Sequence, residues 1–193
     1  MIKTEKEKIN RQKIIQTAEL LISKYHRSDI TLNQIASELG VTHATIYKHF
    51  KNKKELWEAV SKKWFQEVVV RQIDVGTADE IKIKRLHKLL WSFVSAKKNA
   101  YNQDEAMFIL NTEYVENNPI ALQEILKSVY QKINTIMDWP DNSFANAELI
   151  LSAFSVFTLP TFRETWNNPD FYDRFESMWQ LVCPGIEAMS TNE

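Results

Sequence analysis

Only three glycines, Gly40, Gly76 and Gly185, occur among the 193 residues. So few leave no Gly-rich phosphate loop, no Rossmann turn and no supply of the turns that a multi-stranded β architecture needs. The single cysteine, Cys183, excludes an intrachain disulfide and fits a reducing compartment. A thiol sensor is the sharper reading of it and an inert cysteine the plainer one. Long apolar runs are missing as well. The richest window, 144–160, is short for a membrane span and contains Glu148. Residues 1–13 are charged and lack an apolar centre, so they do not read as a secretory signal, and a cytoplasmic location is expected. None of His26, His43, His49 and His87 has a glutamate three residues before it, and no HExxH occurs. The spacing of a helical-bundle metalloenzyme is therefore missing. Nucleophilic catalysis finds no motif either, so no catalytic residue, metal or cofactor is expected.

Helical periodicity fills the segments between the sparse turn residues, and the class reads as all-α. The net charge of −1 conceals an uneven distribution. Residues 1–65 carry 13 Lys and Arg against 7 Asp and Glu, a charge of +6, and the remainder carries −7. A basic first third on an acidic body suits a nucleic-acid module joined to a part that avoids DNA.

Within that basic third, 30–56 is the stretch with the most local instruction. Thr31 with Gln34 forms a capping-box pattern, and Ile30 with Ile35 a hydrophobic staple. Gly40 supplies the left-handed residue that ends the helix after Leu39. Thr42 is placed to cap a second helix running to about His49, and Asn52 with Glu55 opens a third. Ile35, Ala36 and Leu39 make one apolar stripe; Ile46 and Phe50 make another. His43, Ala44, Tyr47 and Lys48 are left on the outer face of the second helix. That face carries hydrogen-bond donors and positive charge without a carboxylate, as a DNA major groove requires. A plain solvated helical hairpin is the competing reading of spacing alone.

The run 40–56, GVTHATIYKHFKNKKEL, resembles the helix-turn-helix signature of the TetR family of transcriptional regulators. The resemblance rests on Thr31, Ile35-Ala36, Leu39-Gly40-Val41, Thr45-Ile46-Tyr47, Phe50, Lys53 and Glu55-Leu56. It is strong over about 9–60 and extends to the rest only in helix number and length. The connector His26-Arg27-Ser28-Asp29 departs from the family, which usually has a glycine and an aromatic there. The resemblance implies an all-α fold of about nine helices. An amino-terminal three-helix DNA-binding domain spans 1–52, with the helix-turn-helix motif at about 31–50. A connecting helix at 53–76 is shared by both domains, and a carboxy-terminal ligand-binding and dimerisation bundle spans 77–193. It also implies base contacts from Asn33, His43, Ala44 and Lys48, and phosphate contacts from Thr31, Thr42, Thr45, Tyr47, His49 and Lys53.

Outside the motif, Thr4 with Glu7 resembles a capping box opening a helix to about Tyr25, with Ile14, Ala18, Leu21, Ile22 and Tyr25 on one face. Lys3, Lys6, Lys8 and Arg11 on it read as a solvated charged end, one or two of them reaching phosphates. Later helices are expected at about 52–75, 79–100, 102–117, 120–137, 143–159 and 169–189. Pro119 is read at a first helical position, and Pro160 as a break. Arg85, His87, Trp91, Tyr101, Met107, Phe108, Glu113 and Tyr114 are candidates to line a pocket for a largely apolar effector. Phe154, Phe157, Phe171, Phe175, Met178 and Trp179 are candidates for the dimer surface, with intramolecular core equally open for each. The expected partners are a palindromic double-stranded operator, a second copy of the chain and an unidentified small molecule, with no membrane. The expected function is a repressor released by that molecule. A DNA-binding regulator without small-molecule sensing, protein-regulated or an activator, is the alternative, and a helical-bundle enzyme the remote one.

Overall fold

The computed structural model describes residues 9–140 and 143–191. Asn10 opens the first helix, its side chain accepting from the Lys13 backbone N–H, so α1 is Arg11–Tyr25. The expected Thr4–Glu7 cap and Lys3, Lys6 and Lys8 lie outside the described residues. The helix ends at His26, which takes the left-handed conformation (φ 52) that glycine would ordinarily supply. Ile14, Ala18, Leu21 and Ile22 are buried as expected, but Tyr25 is half exposed.

The local signals of the motif are realised with two exceptions, both at α3. α2 (Leu32–Glu38) has both halves of the Thr31–Gln34 capping box. Ile30 and Ile35 are fully buried, as the staple requires. Gly40 follows at φ 63. α3 is short, His43–Tyr47, and stops before His49. Thr42 occupies its N-cap without a side-chain cap bond; its hydroxyl pairs with that of Thr45 at 3.1 Å instead. α4 (Lys53–Val68) begins at Asn52, whose side chain accepts from Glu55 N at 2.8 Å.

α4 ends well short of residue 75. The β-branched run Val68-Val69-Val70 weakens helix continuation, and a 3₁₀ turn at Val70–Gln72 takes over. Gly76 (φ 64) then turns the chain, and a β-carbon there would lie 2.5 Å from Glu80 Oε2. α5 (Lys82–Gln103) starts later than expected and runs longer. The helix expected at 102–117 is divided. Asp104 caps α6 (Glu105–Asn111), and a π turn follows at Thr112–Glu116. α7 is Pro119–Met137, with proline in its first turn as expected. α8 is only Ala145–Ala153, followed by 3₁₀ turns at Ser155–Phe157 and Pro160–Thr165. α9 (Phe171–Thr191) contains Pro184 on an exposed position of its interior.

The architecture is all-helical, with nine α-helices among the described residues. α1 packs against α2, α4 and α6, and α4 also packs against α6, α7 and the π turn. One continuous apolar core runs through the amino-terminal unit and the body. No described helix is long and apolar enough to cross a membrane.

Candidate nucleic-acid interface

α2 and α3 meet through Ile35, Ala36, Ile46 and Phe50, all buried. This fixes which side of α3 faces out. Asn33, His43, Ala44, Tyr47, Lys48 and Lys53 are exposed together with Thr31 and Thr42, while Thr45 and His49 are half-buried. The ten candidates therefore lie between Thr31 and Lys53, and none is buried. The His43 and Tyr47 rings, one helical turn apart, meet edge to face at 4.9 Å between centroids. Each holds the other in a defined orientation, although Tyr47 keeps 45% of its surface exposed.

The hydroxyls divide by their existing partners. Thr31 Oγ1 donates to Gln34 Oε1 and accepts from Gln34 N, so its first task is the cap. Thr42 and Thr45 satisfy each other and retain acceptor capacity. Lys48, Lys51, Lys53 and Lys54 stand exposed within seven residues, and no carboxylate occurs between Thr42 and Lys54. Lys53 sits in the first turn of α4, where its charge adds to the positive end of the helix dipole.

The first carboxylate beyond them, Glu55, is engaged in holding the corner. The Lys51 N–H donates to it at 2.7 Å and Arg11 Nη1 at 2.9 Å, and these bonds hold its carboxyl below the usual glutamate range. Arg11 also donates to the His49 carbonyl at 2.7 Å and lies 4.1 Å above the Phe50 ring centroid. It is an anchor between α1 and the α3–α4 corner rather than the solvated end or phosphate contact expected of it. Its spacing of 38 and 44 residues from these partners gives no local sequence signal.

The body contains a second polar site, which the sequence reading missed. α5, α7, α8 and the π turn line a half-open cavity of about 370 Å³ with Phe93, Leu122, Leu126 and Leu151 among its apolar walls. On its wall Lys97 Nζ meets Glu116 Oε1 at 2.6 Å, the side chains 4% and 2% exposed. Asn111 donates to the same oxygen at 3.0 Å. The π turn admits one extra residue per turn and so re-aims the residues it carries; here it turns Glu116 inward. None of the eight predicted pocket residues lines this cavity. Met107 and Phe108 are core, and Tyr101 packs against Phe108 and Trp166. His87 bonds Glu176 at 2.9 Å and meets the Phe175 and Trp179 rings edge to face. Trp91 packs against α9 and lines a separate cleft between α4 and α5. Arg85 donates to the Val75 carbonyl, while Glu113 is exposed and Tyr114 half-buried.

Four dimer candidates are also redirected. Phe154, Phe157, Phe171 and Phe175 are at most 3% exposed within one chain, so they pack its interior and have no surface left for a second copy. Met178 and Trp179 remain half-buried. Cys183 is also half-buried, its thiol pushed up by burial and then by Glu187, which disfavours the reactive thiolate. No group of three or more His, Cys, Asp or Glu suited to a metal occurs among the described residues.

Residues 14–60 match the model for bacterial regulatory proteins of the tetR family. The chain carries a TetR-family helix-turn-helix domain. HTH-type transcriptional regulators of Staphylococcus aureus strains USA300 and NCTC 8325 are 43% identical over 49 residues, which is 25% of this chain and 26% of each relative. The match thus spans about a quarter of the length of those relatives. The fold is TetR-like throughout. BioQ crystallised with its double-stranded DNA operator superposes over 91% of this chain and 98% of its own (TM-score 0.60, 14% identity). Mycobacterium smegmatis BioQ covers 93% and 99% (TM-score 0.57, 20% identity). A possible TetR family regulator from Streptomyces coelicolor A3(2) covers 93% and 100% (TM-score 0.56, 16% identity). At these identities the TetR-like likeness beyond residue 60 is one of fold.

Proposed function

We propose that this chain is a sequence-specific, DNA-binding transcriptional regulator that works as a dimer and leaves its operator when a small molecule binds the body. The observation that carries the reading is the outer face of α3, where the paired His43 and Tyr47 rings stand exposed beside Ala44 and Lys48 in a carboxylate-free basic stretch. His43, Ala44, Lys48 and Asn33 read base edges in the major groove, with Ala44 small enough to admit a thymine methyl. Thr31, Thr42, Thr45, Tyr47, His49 and Lys53 hold the flanking phosphates and set register. The structural neighbour crystallised on its operator shares the arrangement of helices that this reading needs.

A single three-helix unit makes few base contacts, so a two-fold dimer on a palindrome supplies the specificity. Met178, Leu181 and Val182 recur at i, i+3 and i+4 on one side of α9 and are left half-buried or, for Leu181, 75% exposed. Gly185, one further turn along, has open space where a β-carbon would stand. This stripe is the proposed dimer face, in place of the buried phenylalanines.

Release follows from how α4 is gripped. Lys63 bonds Glu19 on α1 at 2.8 Å, tying α4 to the reading unit. On the other side Lys62 meets Glu124 on α7, and Lys97 Nζ lies 5.6 Å from the Phe65 ring centroid. A molecule that disturbs Lys97 and Glu116 thereby acts on α4, provided it binds the misplaced arrangement better than the operator-bound one. Footprinting of the purified chain on duplexes is the test. A protected two-fold site that His43→Ala shifts or abolishes supports the reading; uniform binding to any duplex overturns it.

A further inference from the structure

The polar groups on the wall of the half-open cavity divide into those already committed and those left over. Lys97 and Glu116 are spent on each other, and the second Glu116 oxygen is sealed from solvent. The Ser152 and Thr158 hydroxyls donate to the backbone carbonyls of Glu148 and Phe154. Gln123 and Glu148 are exposed to water. Two hydroxyls remain. Those of Tyr130 and Ser155 have no hydrogen-bond partner, yet neither oxygen is sealed as Glu116 Oε2 is. Tyr130 is only 7% exposed and lines the cavity, so the cavity is the opening that its oxygen meets. Burial, and then the Glu148 carboxylate on the same wall, push its phenol up, so it is protonated at neutral pH and able to donate. The volume of about 370 Å³ lies in the range of small-molecule sites.

We propose that this cavity binds a neutral, largely apolar molecule through one carbonyl or hydroxyl oxygen, which accepts from the Tyr130 hydroxyl, its apolar body lying against Phe93, Leu122, Leu126 and Leu151. The inference rests on the reading of the body as the effector domain, and it supplies the chemical class of the effector. A nearly enclosed hydroxyl whose proton has no acceptor calls for one, since buried polar groups are otherwise almost always paired. A carboxylate could accept, but Glu148 repels it and Lys97 is already spent on Glu116. An ammonium has no acceptor atom to offer, and its attraction to the exposed Glu148 is worth little in water. The class is therefore defined by a neutral acceptor oxygen on an apolar frame.

The experiment is calorimetric titration of the full chain with three probes of equal chain length: octanol, octanoate and octylamine. Octanol is expected to bind at least about tenfold more tightly than either charged probe. Tyr130→Phe keeps the ring and removes only the hydroxyl, and it is expected to weaken octanol about fivefold while leaving the charged probes unchanged. Equal or tighter binding of octanoate or octylamine, no binding of any probe, or unchanged octanol binding by folded Tyr130→Phe would each overturn the proposal. The ranking of the three probes is read on the parent chain, so it decides the matter whether or not the variant folds. Operator affinity measured with saturating octanol separates the two readings. Binding of octanol without loss of DNA affinity would leave the site standing and remove the release mechanism. Release by octanol that needs about fivefold more of it in Tyr130→Phe would support both.

Discussion

The reading unit and the body place their polar side chains on opposite sides of their packing. The buried residues of α2 and α3 are all apolar, and the chemistry lies outside on His43, Tyr47 and the lysines. In the body the outer lysines and glutamates form ordinary surface pairs, and the unusual chemistry lies inside, at Lys97 and Glu116. An exposed polar face costs little to keep and is ready for a large charged partner. A buried pair is kept against desolvation and holds packed elements of the body together. α4 is packed against both regions.

Breaking the buried pair on one side has the largest expected effect. Glu116→Leu alone leaves Lys97 charged and enclosed, and urea unfolding should show a loss of roughly 3–5 kcal/mol. The Lys97→Met, Glu116→Leu double variant should recover most of that. If the single variant were as stable as the parent, the contrast between inside and outside chemistry would fail. On the outer face, His43→Ala should leave stability nearly unchanged while reducing discrimination at its base pair by roughly 1–3 kcal/mol in competition binding. Thr31→Ala removes a cap that holds α2, with an expected loss of about 1 kcal/mol in denaturant melts.

Glu55 sharpens the comparison through pH. The Lys51 N–H and Arg11 hold its folded pKa below the ordinary glutamate value. Its contribution is therefore complete above that ordinary value, about 4.3, and is lost as pH falls through the lower folded one. Acid melts of Glu55→Gln should lose less stability over that window than the parent does. Lys53→Ala should produce the smallest change, lowering the salt slope of DNA binding by about one unit without altering sequence preference.

The legible parts of the molecule are those whose causes lie within a few residues. The capping box at Thr31, the Asn52 cap, the left-handed Gly40 and the stripes Ile35-Ala36 and Ile46-Phe50 each act over one helical turn, and all are present. Boundaries failed where tertiary packing decides them. α4 ends early at its valine run, and the expected helix at 102–117 divides into α6 and a π turn. Lys97 and Glu116 lie 19 residues apart and carry no local signal, because only that π turn and the packing of α5 against α7 enclose them. Phe154, Phe157, Phe171 and Phe175 read equally as interface or core, and their rings pack on one another in the interior. Arg11 was obscured for a different reason, since its partners lie 38 and 44 residues away.

The central claim, that the outer face of α3 reads DNA sequence in a two-fold arrangement, is tested most directly by selecting binding sites for the purified chain from a random duplex library. The account predicts enrichment of a palindrome whose half-sites are centred about 34–36 Å apart, with a base preference that changes in parallel selections with His43→Ala. Recovery of duplexes with no shared sequence, or of the same palindrome with and without His43, would contradict it.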